Sequence, residues 1–224
     1  MTNISAFSAA VLATRLDAAW SYDRNLGRYR DDKGKFLSQQ SVDALIDARV
    51  DKLNATLRRI TRMLIRNDIT LDQWQGSVRQ ALKEAHIQAG VIGNGGRDNM
   101  GPREYGQIGQ RLRREYSFLQ KFAKDLLEKR VSAPMALARV SMYTRTVRGA
   151  YLEGYQSKKQ EQGYSLMRRI LDPQAAHCED CLLYARRGIV PIGSVPLPGE
   201  RCACRSNCKC SVKFFRQQYP AIGV

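Results

Sequence analysis

The feature that most constrains this chain is where its six cysteines stand. "HCEDC" holds Cys178 and Cys181, and about twenty residues later "RCACRSNCKC" packs Cys202, Cys204, Cys208 and Cys210 into nine positions. A Cys-x-x-Cys turn brings both sulfurs to the same side of the backbone. Two such clusters separated by about 20 residues read as a structural zinc site. The surrounding segment needs one. "YSLMRRIL" and "SVKFF" have strand character, "DPQ" is a turn, and glycines and prolines punctuate "GIVPIGSVPLPG". A β-rich unit this small cannot bury a generous core and calls for a staple.

Spacing selects Cys178 and Cys181 as ligands, with Cys208 and Cys210 favoured beside them and Cys204, then Cys202, as alternates. A single zinc leaves at least two cysteines with another role. His177 adjoins Cys178, and neighbouring residues seldom ligate the same metal, so it ranks low as a ligand. The basic residues among the cysteines favour thiolate. Disulfides and free thiols are the competing readings. "MTNISAFSAAVLATRLDAAW" lacks a basic start and carries Arg15 and Asp17, a poor signal peptide. The chain is therefore expected in a reducing compartment, where disulfides are rare.

Upstream the pattern is helical, and the expected class is mainly α with a small β-rich C-terminal zinc-binding module (α+β). Three regions are expected: an N-terminal helix and hairpin or arm over 1–40, long helices over 41–162, and the Cys-rich module over 163–224. Residues 3–20 read as a first helix, and "RYR" and "KFL" flank turn residues as a small hairpin or ordered loop. Ser41 is the expected N-cap of a helix over 41–66, with one apolar stripe from Val42 to Leu64. Thr70 and Gln73 form a capping-box pattern ahead of Trp74, Val78 and Leu82. "GVIGNGGRDNMGP" lacks both GK[ST] and a preceding strand, so it reads as a hinge or surface loop and not as a phosphate cradle. A fourth helix is expected near 103–130, and a fifth from Ser132 and Pro134 to about 159. Long helices of this kind either bundle or pack against a partner, homo-oligomers included.

The formal charge is +16, from 37 Lys+Arg against 21 Asp+Glu. Residues 91–160 alone hold fourteen basic and six acidic side chains. Such a field favours polyanions, nucleic acid first, although solvated basic faces are common. Arg111, Arg113, Arg114, Lys121, Lys124 and Lys129 crowd the fourth helix beside its apolar face and are the candidate surface for nucleic acid or a partner. No apolar run approaches the ~20 residues that span a bilayer, so no membrane partner is expected. Only His86 and His177 are present, and no HExxH, GxSxG or paired-carboxylate pattern appears. A non-catalytic protein is expected.

Over 131–215 the chain resembles the minor head, or head-morphogenesis, proteins of tailed bacteriophages, the Mu F-like group. A helix of the type "VSAPMALARVSMYTRTVRGAYLEGYQ", a glycine, a short basic strand, Asp172, a CxxC and a closing "NCKCSV" follow that family's order. The chain departs from it at Tyr143-Thr144-Arg145, where the family often has Thr-Glu, and at Arg205-Ser206, where it often has His-Pro. The resemblance implies a low-copy virion protein at the head or portal vertex, assembled in the host cytoplasm with portal and/or major capsid protein and packaged DNA, which is contacted without sequence preference. A zinc-ribbon DNA-binding regulator is the alternative reading.

Overall fold

The computed structural model describes residues 20–217; the helix expected over 3–20 lies outside them, apart from its last residue. The apolar stripe that starts at Val42 folds as α1 (Gln39–Ile65), burying Val42, Ile46, Leu53 and Leu57. Its cap is Ser38, three residues earlier than expected. Ser38 keeps an extended backbone while its hydroxyl accepts the Ser41 N–H at 3.0 Å, which leaves Ser41 inside the first turn. α2 (Leu71–Gly93) opens on the reciprocal capping box read from the sequence: Thr70 Oγ1 accepts from Gln73 N at 3.2 Å and Gln73 Oε1 from Thr70 N at 2.9 Å. α2 is the central helix, packed against α1, against α3 (Pro102–Leu127) and against α5 (Val147–Glu161). Trp74, Val78 and Leu82 are fully buried there. The Trp74 indole N–H donates to Thr61 Oγ1 at 3.0 Å, which donates onward to the Leu57 carbonyl.

The helix expected to run unbroken to 159 is two helices. α4 (Ala133–Met142) stops at a tight 3₁₀ turn, Tyr143–Thr146, before α5. Around this turn the Ser141, Thr144 and Thr146 hydroxyls donate to the carbonyls of Leu137, Ser141 and Tyr143. Hydroxyls bonded back to the preceding turn compete with the helix ladder and bend it.

The glycine-rich segment is not a surface loop along its whole length. Ile92, Gly93, Asn94 and Gly95 are buried or nearly so, and Arg97 and Asp98 lie further out. A Cβ on Gly93 would collide with the Tyr151 carbonyl oxygen, and one on Gly154 with the Asn94 amide. These glycines let the end of α2 lie directly on the α5 backbone.

At the N-terminal side, β1 (Ser21–Asp23) pairs antiparallel with β2 (Arg28–Arg30). "RYR" is thus a strand as expected, but its partner is "SYD"; "KFL" supplies only the bridge residue Phe36, opposite Arg30. Asp23 Oδ1 accepts the N–H groups of Asn25 and Leu26 and nucleates the turn on the other side of β2.

The C-terminal part holds a three-stranded antiparallel sheet in the order β4 (Val190–Pro191), β3 (Leu166–Ile170), β5 (Ser211–Phe215). The two longer strands coincide with "YSLMRRIL" and "SVKFF". Met167, Val195, Leu197 and Val212 join the same buried cluster as the helices. The Tyr155 ring on α5 meets Phe214 edge-on, with centroids 5.4 Å apart.

Two alanine substitutions in α2 should move stability in opposite directions. Gly93→Ala forces its methyl into the α5 backbone and should cost about 1–3 kcal/mol or more. Gly76→Ala, whose Cβ would meet nothing within 4 Å, should stabilise by about 1 kcal/mol. Urea unfolding followed by far-UV circular dichroism checks both, and equal effects would overturn the close helix crossing.

Candidate metal centre

Two arms reach this site from paired strands. After β3, Asp172 turns the chain, its Oδ1 accepting the Gln174 N–H at 2.9 Å. The chain then runs through His177 to Cys178, which caps α6 (Glu179–Arg186) with an extended backbone and leaves Cys181 in the first turn. The other arm passes Cys202 and Cys204, makes a 3₁₀ turn at Arg205–Asn207, and delivers Cys208 and Cys210 at the threshold of β5. Ile170 pairs with Ser211, so the end of one arm lies beside the start of the other. Asp180 Oδ2 accepts the Ala203 N–H at 2.8 Å and pins the arms together.

All six cysteines are free thiols. The sulfurs of Cys178, Cys181, Cys202 and Cys204 lie within 4.8 Å of one another, as do those of Cys181, Cys208 and Cys210. Cys181 Sγ stands 3.9 Å from Cys204 Sγ and 3.6 Å from Cys208 Sγ. A disulfide needs about 2.05 Å. A tetrahedral metal with thiolate bonds of ~2.3 Å separates its sulfurs by about 3.8 Å. The cluster can therefore hold a metal ion, and its donor set fits a soft-ligand, tetrahedral one.

The grouping differs from the one favoured by spacing. Cys178, Cys181, Cys208 and Cys210 do not converge as one mutually close set; Cys202 and Cys204, ranked last, stand with the Cys178–Cys181 knuckle. The 3₁₀ turn is the reason. With Arg205 at a left-handed φ of 46°, it folds Cys202 and Cys204 back toward the α6 N-terminus.

Burial and hydrogen bonding divide the thiols. Burial pushes Cys178 upward, but hydrogen bonds from Cys181 and Cys204 outweigh it and bring this thiol down to about 6. Cys208 is lowered in the same way: burial opposes, and hydrogen bonds from Cys210 and Cys181 and the Arg169 charge prevail. Burial raises Cys181, Cys202 and Cys210, the last to about 11. Cys181 is the centre of the cluster and is completely buried.

Two neighbours of the thiols were not expected from the sequence. Arg169 on β3 is only 1% exposed; its guanidinium lies 3.8 Å from Cys208 Sγ, is bonded to the Pro196 carbonyl and lies over the Tyr184 ring. The period-2 alternation of β3 carried the signal, because Arg169 shares a face with buried Met167. His177, ranked low as a ligand, donates from Nε2 to the Asp172 carbonyl at 2.8 Å and turns Nδ1 to within 3.7 Å of Cys210 Sγ. The other histidine, His86, is buried in the helical core at 3.0 Å from Glu115 and belongs to neither group of sulfurs.

Of the candidate basic surface, Arg113, Arg114, Lys121 and Lys124 are exposed on α3, on the side away from buried Ile108, Leu112, Leu119 and Phe122. Lys129 is exposed just past the helix end, with φ at 53°. Arg111 turns inward instead. Its side chain is 15% exposed and ion-paired with Glu153 of α5, in a cleft of about 350 Å³ between the helices and the cysteine arms. That cleft mixes Arg145, Arg148, Arg205 and Lys209 with Asp47, Asp51 and Glu200. Among the described residues, no helix is long and apolar enough to cross a membrane.

The sequence matches no protein-family model, no curated protein and no solved structure.

Replacing Arg169 by Met keeps its bulk and removes the buried charge beside Cys208. Metal affinity, read by chelator competition, should fall about 10–100-fold, as for other groups that support metal ligands. Unchanged affinity would show that the guanidinium plays no part in holding the thiolates.

Proposed function

We propose that this chain is a non-catalytic structural protein of a tailed-phage head, in which structural zinc ties the C-terminal arms to a helical body whose basic face meets DNA or an acidic partner. The observation that carries the reading is the convergence of "CEDC" and "RCACRSNCKC" on one buried cluster. They do so in the order in which the resembling head-morphogenesis family carries its motifs. Four thiolates in mutual contact close a tetrahedral site, and a closed site is structural, since catalysis needs an open position. Cys178 and Cys181 on one arm and Cys202 and Cys204 on the other would hold the ion. When bound, it supplies a rigid cross-link between segments that share little apolar core of their own.

The electrostatic half of the reading rests on α3. Arg113, Arg114, Lys121 and Lys124 form an exposed row; of these, Lys124 pairs with Glu128 at 3.9 Å. A row of this kind follows a phosphate backbone without reading bases. Portal or capsid protein is the proposed protein partner, and the virion head the proposed location.

Protein purified under reducing conditions should contain zinc, and stripping it with a chelator should lower the thermal unfolding midpoint. Most far-UV helical signal should survive at low temperature, because the helical core is largely built from its own residues. A metal-free protein with an unchanged midpoint would sink the zinc reading.

DNA binding should be weak, indifferent to sequence and steeply salt-dependent, its logarithm falling by about 0.9 per phosphate contacted for each log unit of salt. Changing Arg113, Arg114, Lys121 and Lys124 together to Gln should flatten that slope by roughly one unit for each phosphate no longer neutralised. A strong preference for one duplex sequence would favour the regulator reading instead. Co-sedimentation with portal or heads tests the partner.

A further inference from the structure

We propose that the cysteine cluster holds two metal ions, joined by the Cys181 thiolate as a shared ligand. This rests on the metal reading above and deepens it. The sulfurs do not form one set of four with two spectators. They form two mutually close sets, Cys178, Cys181, Cys202 and Cys204 in one and Cys181, Cys208 and Cys210 in the other, with Cys181 in both. Its sulfur lies 3.9 Å from Cys204 Sγ on one side and 3.6 Å from Cys208 Sγ on the other. Both distances match the edge of a thiolate tetrahedron, about 3.8 Å for bonds of ~2.3 Å.

Two tetrahedra that share one corner need seven donors. Six are sulfurs, and His177 is positioned to be the seventh. Its Nε2 faces the Asp172 carbonyl at 2.8 Å. A carbonyl only accepts, so Nε2 carries the proton and a neutral ring keeps its lone pair on Nδ1. That Nδ1 lies 3.7 Å from Cys210 Sγ, outside the group of three mutually close sulfurs; a modest ring movement brings it over the second site. A ring N–H held by a backbone carbonyl is the usual support of a metal-bound histidine. The objection that neighbours seldom share a metal does not apply, because His177 serves the second ion and Cys178 the first.

Charge agrees with the count. Two divalent ions and six thiolates leave two negative charges, and the buried Arg169 guanidinium faces this cluster 3.8 Å from Cys208 Sγ. Cys181, completely buried between the two sets, is the thiol for which a bridging role asks least rearrangement.

Native mass spectrometry of the full chain, purified reduced with zinc, should show two ions per chain. One ion overturns the shared site and leaves the structural-zinc reading intact; none overturns both. Exchange for an NMR-active cadmium isotope should give two resonances split by coupling to each other through the common sulfur, and two uncoupled resonances would overturn the bridge. Cys210→Ser should retain one ion, as should Cys202→Ser. His177→Gln should release one of the two ions at a chelator concentration at least tenfold lower than wild type requires. Equal retention of both would remove His177 from the site.

Discussion

The pairing of β3 with β5 is the constraint on which the C-terminal half depends. Neither cysteine arm has a core of its own; one follows β3 through a turn into the short helix α6, and the other is an irregular run that leads into β5. The register that sets Ile170 against Ser211 brings the exit of one arm to the entrance of the other. Once it is set, Cys181 in the first turn of α6 and Cys208 and Cys210 ahead of β5 have little freedom to lie elsewhere. The Asp180 bond to the Ala203 N–H then holds the remaining arm. A metal ion held there would find donors that the sheet has already gathered, and would add the cross-link that a sheet this small cannot supply from burial alone.

The sheet is in turn seated on the helices. Met167 and Val212 join the cluster that surrounds α2, and Phe214 meets Tyr155 of α5. α5 is held against α2 by a glycine contact on each side, Gly93 and Gly154. The thiols form a separate buried cluster, and half-buried Tyr184 packs against both it and the apolar core that contains Trp74.

Local signals are legible wherever a few adjacent residues settle the geometry. The Thr70–Gln73 capping box and the strands at 166–170 and 211–215 are of this kind. Expectation and structure part where competing bonds or distant partners decide. The Ser38 cap displaces Ser41, and hydroxyl back-bonding at 141–146 splits a periodic helix. The glycines at 93 and 95 read as a loop because nothing local reveals that α5 lies on Gly93. In the cysteine cluster the six thiols are visible as residue types, while Arg169 sits in a short strand whose alternation alone marks it as buried.

Helix periodicity, strand alternation and CxxC spacing act over a few residues. The order of amino acids alone therefore dictates the helical majority, the two longer C-terminal strands and the presence of a thiol-rich site. Packing settled the rest: which sulfurs meet, that Arg111 pairs inward with Glu153 while Arg113 and Arg114 remain exposed, and that His177 faces Cys210. Those outcomes depend on strand register, one left-handed turn at Arg205 and the approach of two helices. Each is a relation between segments far apart along the chain, and no local pattern encodes it.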